Sequence, residues 1–178
     1  DRRFGFLRHE AVFVLHDGQT GHHGRLLLVR WVLRHFAIEA RNRYFAAIAS
    51  LRPDAVLILS GTNDIPAGAD GAASGAANEV RVMAQEAKVR GLKVFIATPV
   101  PGRPGGNRTI APFLLVDYAN RMRDMASREG AVLVDLYAAM LPDAQRYIGV
   151  DGLHPNEAGY ARIAELFFQA IQANLEVR

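Results

Sequence analysis

No cysteine occurs among the 178 residues of this chain, which excludes disulfides, a thiolate nucleophile and a cysteine-ligated zinc site. Serine is nearly as scarce: Ser50, Ser60, Ser74 and Ser127 are the only four, and none stands in a Gly-Asp-Ser sequence. No stretch of eighteen apolar residues could span a bilayer as a helix. Charge of one sign is lacking too, with 21 Lys and Arg against 18 Asp and Glu for a net +3. The basic excess gathers in the first 45 residues, but no aromatic and basic interleaving accompanies it. It reads as a solvated face, not a nucleic-acid surface. No secretory leader pattern opens the chain, which starts at Asp1.

What remains is enough for one domain over residues 1–178, with an atypical stretch at 1–45. Short apolar runs at 11–15, 55–59, 93–97 and 131–134 predict strands covered on both faces. Helical patterns alternate with them, at 25–50 (in one piece or two), 77–90, 113–129 and 156–174. That alternation argues for βαβ units and a parallel sheet, with no hairpin between neighbours. Gly91 and Gly130 are placed to end their helices, and Asn156 to cap the last one. Residues 65–75 read as a loop of small residues, and 99–112, with four prolines and three glycines, as irregular. Both follow the carboxyl ends of strands, where open α/β sheets bind ligands.

Five of the six histidines (His9, His16, His22, His23 and His35) and the one tryptophan, Trp31, fall in the atypical stretch. His22 and His23 are adjacent and no acid stands at ligand spacing, so surface histidines are read there and no metal site.

Two short motifs carry chemistry. Asp151-Gly152-Leu153-His154-Pro155 sets a carboxylate three residues before an imidazole. A turn of that length can bring the acid to the ring's Nδ1 and leave Nε2 to take a proton from a nucleophile. Gly61-Thr62-Asn63-Asp64 follows the run Val56-Leu57-Ile58-Leu59 and puts an amide at a strand's carboxyl end. A fixed amide there can stabilise the negative oxygen of a tetrahedral intermediate, worth about 3 kcal/mol.

The two motifs, in this order and separation, resemble blocks III and V of the SGNH (GDSL-type) hydrolases, a superfamily of serine esterases and lipases. The resemblance covers residues 52–178, and more weakly 11–24. It implies a three-layer α/β/α fold on a flavodoxin-like parallel sheet of order 2-1-3-4-5. It also implies hydrolysis of a carboxylic or thio-ester through an acyl-serine, without metal or organic cofactor, on a small-molecule substrate. His154 would be the base and then the acid, Asp151 its orienting carboxylate, and Asn63 an oxyanion donor. Asp64 would support the loop. The segment Asp17 to Gly24 has block II spacing, which makes Gly18 the second oxyanion donor. A competing alignment sets His16-Asp17-Gly18-Gln19-Thr20 on the nucleophile block, with Gly18 in place of the serine.

The nucleophile is missing from this picture. Ser60 lies near the expected site but lacks a sharp strand-to-helix turn, and Thr20 stands in a glycine-rich turn where it supports the backbone. Either the chain begins after the nucleophile block, leaving the sheet one strand short beside 55–59, or the serine has been replaced. Two rivals follow: a binding module that keeps the cleft without turnover, and a flavodoxin-like nucleotide-binding domain. The second needs a phosphate-binding glycine loop, and Gly18 to Gly24 lacks the spacing.

Overall fold

Five strands pair into one sheet in sequence order: β1 (Ala11–His16), β2 (His23–Arg30), β3 (Ala55–Leu59), β4 (Lys93–Ala97) and β5 (Val132–Val134). The computed structural model describes residues 11–16, 23–30, 37–65 and 71–175. Strands β2 to β5 are parallel, and β1 lies antiparallel on the edge beside β2. The continuous apolar runs become strands because both sheet faces are covered. Val56 and Ile58 enter one core, Ala55 and Leu57 the other, and all four are buried.

Helices α1 (Ala37–Leu51), α2 (Ala72–Val89) and α3 (Pro112–Glu129) each connect one parallel strand to the next. Successive crossovers of one hand that step in one direction put their helices on one face. Accordingly Ile48, Val80, Met83, Leu115 and Met122 from the three helices share a cluster with Val56, Ile58, Val94 and Ile96. After β5 the chain returns across the other face. The short α4 (Leu136–Met140) and α5 (Ala144–Tyr147) lead into α6 (Glu157–Leu175). Its Ile163, Phe167 and Ile171 recur at helical spacing and join Leu57, Phe95 and Ala97 in a second cluster. Each such side chain, once buried, contributes about 1.5–3 kcal/mol. The result is the three-layer α/β/α architecture.

The sequence reading needs four corrections here. Residues 25–30, assigned to a helix, belong to strand β2 (His23–Arg30), and the helix begins only at Ala37. Leucine favours helix in isolation, but Leu26, Leu27 and Leu28 pair on one side with β1 and on the other with β3. Double pairing overrides local propensity. The place beside β3 is therefore neither vacant nor taken by 11–15, and an antiparallel pair does occur, between β1 and β2. Finally, α2 starts at Ala72, so the end of the expected 65–75 loop is helical. Alanine-rich sequence at 72–77 permits this.

Candidate active site

The Asp151–His154 turn is built from its backbone outward. Ile148 and Pro155 form an isolated antiparallel bridge that brings its two ends together. Gly149 N–H donates to the His154 carbonyl at 2.7 Å, and Gly152 N–H to the Gly149 carbonyl at 3.1 Å. Gly152 has φ +86°, a left-handed conformation that favours glycine. Leu153, 6% exposed, drives the turn into the same core cluster as Ile65, Ile110 and Tyr118.

This backbone positions the acid and the imidazole. Asp151 Oδ1 accepts from the N–H groups of Leu153 (3.1 Å) and His154 (3.0 Å), which leaves Oδ2 to meet His154 Nδ1 at 2.5 Å. Burial opposes ionisation of Asp151, but the ring hydrogen bond and the two backbone donors outweigh it and hold its pKa at about 2. The ionised acid fixes the proton of a neutral imidazole on Nδ1, so Nε2 presents a lone pair. The two side chains remain 28% and 27% exposed, so the pair is reachable from solvent.

The irregular segment after β4 wraps this turn. Arg103 N–H donates to the Gly152 carbonyl at 3.0 Å, and Arg108 N–H to the Asp151 carbonyl at 2.9 Å. Thr109 Oγ1 ties the segment together: it lies 2.9 Å from both the Arg103 and Gly106 carbonyls and accepts from Gly106 N–H at 3.1 Å. Contact is close enough that a Cβ on Gly106 would stand 2.1 Å from the Asp151 carbonyl carbon. Beyond the turn, Asn156 caps α6 as expected, its Oδ1 accepting from Gly159 N–H at 3.0 Å.

The Asn63 turn leaves the carboxyl end of β3, next to the strand whose carboxyl end feeds the 99–110 segment. Asp64 N–H donates to the Gly61 carbonyl at 3.1 Å. Beneath it, the Tyr118 hydroxyl of α3 donates to the Ser60 carbonyl at 2.9 Å. Burial first, and then the charge of Asp64, push the Tyr118 pKa far up, so it stays a donor. Gly61 has φ +92°, and a Cβ there would lie 1.8 Å from the Tyr118 oxygen. The glycine of this motif is thus required twice, by backbone conformation and by the tyrosine.

Asn63 and the Asp151–His154 pair therefore both lie at the carboxyl edge of the sheet, the second through its bonds to the segment after β4. Gly18 and Thr20 lie outside the described residues, as do His9, His22 and His35. Ser50, Ser74 and Ser127 lie in α1, α2 and α3, and Ser60 follows β3. Among the described residues no hydroxyl side chain is hydrogen-bonded to His154. An open cavity of about 550 Å³, lined by Ile48, Arg52, Asp54, Arg90 and Leu92 among others, sits at the opposite, amino edge, away from these groups. The support given by Arg103, Gly106, Thr109 and Tyr118 was not read from the sequence. Only the proline and glycine density of 99–112 hinted at the first three.

Residues 19–162 match the model of the GDSL-like lipase/acylhydrolase family. The chain belongs to that family. Among solved structures it is similar to the lipase/acylhydrolase of Enterococcus faecalis, with TM-score 0.71, 20% identity, and 81% and 74% of the two chains covered. It also resembles a GDSL-like lipase of Bacteroides thetaiotaomicron, with TM-score 0.68, 22% identity, and 79% and 73% covered. At these identities the likeness concerns the fold. A curated relative, acetylxylan esterase of Xylanibacter ruminicola, is 33% identical over 88 residues, which is 48% of this chain and 18% of that protein. The matched part is thus a minor share of the relative. Among the described residues no helix is long and apolar enough to cross a membrane.

Proposed function

We propose that the carboxyl edge is an ester-binding and proton-transfer site for small carboxylic or thio-esters. In it His154 Nε2 takes a proton from the attacking oxygen and returns it to the leaving group. Asp151 holds the ring's Nδ1 proton and stabilises the imidazolium formed in between. The Asn63 amide, with the Gly18 N–H as second donor, stabilises the oxyanion. The observation that carries this reading is the 2.5 Å contact between His154 Nδ1 and Asp151 Oδ2, in a carboxylate whose other oxygen is held by two backbone donors.

No Gly-Asp-Ser nucleophile supports an acyl-serine route in this sequence. For the residues given, the oxygen available to attack is that of water: it adds to the ester carbonyl, its proton passes to His154, and the alkoxide leaves with that proton as the alcohol. Such turnover is slow beside acyl-serine chemistry. The curated relative's name supports an acetyl ester of a saccharide as the first natural substrate to try. The test pairs p-nitrophenyl acetate hydrolysis with a fluorophosphonate probe. Slow hydrolysis lost in His154→Ala, with no labelling, agrees; a labelled serine or threonine overturns the water route. The same lack of a nucleophile favours a second reading, an ester-binding module, which retained ester binding with no hydrolysis at all would select.

A further inference from the structure

The segment that wraps the acid–base turn carries two arginines and, from Thr98 to Val116, no acid. Both are tied to the turn through their backbones, Arg103 to Gly152 and Arg108 to Asp151. The knot around Thr109 and the close approach of Gly106 keep this segment from swinging away. Both arginines thus start from fixed points on the turn that carries His154. Arg103 Nη1 donates to the Ile148 carbonyl at 3.3 Å and its remaining donors have no partner among the described residues. Arg108 is exposed, and its side chain has no partner among them.

These charges are not spent on the catalytic acid. What depresses the Asp151 pKa is its bonding to His154 and Leu153. Other acids at this edge are Asp135, which is paired with Arg123, Asp64, which has its own interactions, and the exposed Glu157 in the first turn of α6. Unpaired arginine forks match carboxylate geometry. The geometry points to a preference for anionic esters, those bearing a carboxylate a few bonds from the scissile linkage, with Arg108 the main selector and Arg103 its partner. This rests on the ester-site reading above and adds the substrate's charge to it.

The test uses the whole chain and two probes of like size, methyl hydrogen succinate and its neutral counterpart dimethyl succinate. Binding is followed by the His154 ring resonances in NMR titrations at low and moderate salt. The expected result is about tenfold tighter binding of the anion, shrinking with salt. Arg108→Gln, at an exposed side chain without partners, should reduce that ratio towards one. Arg128→Gln, at the exposed end of α3, should leave it. Arg103→Lys keeps the charge but not the fork, and should lower the ratio in part. Equal binding of both probes at His154 overturns the charge preference while the ester site stands. No response of His154 to either probe removes both. An anion preference that persists in Arg108→Gln and Arg103→Lys, or arises away from His154, also refutes the assignment.

Discussion

Replacing Asp151 with Asn tests the centre most directly, because it changes one atom's chemistry and almost no volume. In the native turn Oδ1 serves two backbone donors while Oδ2 meets the imidazole. An Asn can keep the first role with its oxygen, but must then aim its NH₂ at Nδ1. The ring responds by accepting there and moving its proton to Nε2, the wrong tautomer for a base. Hydrolysis of p-nitrophenyl acetate should fall by about 10³-fold or more, close to the level of His154→Ala. The low-field proton NMR signal of the Nδ1–H bond should vanish. Stability should fall as well. The acid's pKa drops from an ordinary 3.8 to about 2 on folding, so it stabilises the protein above pH 3.8, and that contribution is lost as pH falls towards 2. With solvent screening of a 28% exposed group, the loss on substitution is about 1–2 kcal/mol at neutral pH. The gap between wild type and variant in urea melts should close below about pH 3. Hydrolysis within threefold of wild type, with the low-field proton still present, would show that this pair does not organise the chemistry.

Asn63→Ala should lower hydrolysis by about 10²-fold while urea melts shift by under about 0.5 kcal/mol, if the amide serves the reaction as proposed and not the fold. Gly61→Ala should cost several kcal/mol, on the order of 3, and lower the melting temperature, because its Cβ collides with Tyr118 at φ +92°. Tyr118→Phe should cost about 1–2 kcal/mol in urea melts by leaving the Ser60 carbonyl without its donor. Gly106→Ala should separate the wrapping segment from Asp151 and erase the Nδ1 proton signal even where the circular dichroism spectrum stays native.

Strands β3 and β4 were legible to the residue because buried parallel strands are apolar throughout and bounded by turn residues. The ends of α3 and α6 were nearly so, through Gly130 and Asn156. The β2 strand was not: a leucine-rich run suits a helix or a central strand, and only its two pairing partners decide. Asp151 and His154 were legible because their geometry is local, three residues apart in one turn. Their support was hidden because it is non-local and runs largely through backbone atoms, which leave no signature in side-chain identity. The same is true of the Tyr118 contact with Ser60, between an α3 side chain and a carbonyl just after β3.

The bonds from Arg103 to Gly152 and from Arg108 to Asp151 join stretches far apart in the chain, and this orders events during synthesis. The segment after β4 leaves the ribosome with those amides unmatched, and they stay hydrated until the tail follows. The proposed acid–base pair is therefore synthesised after all five described strands, and a chain halted before residue 151 has those strands without that pair.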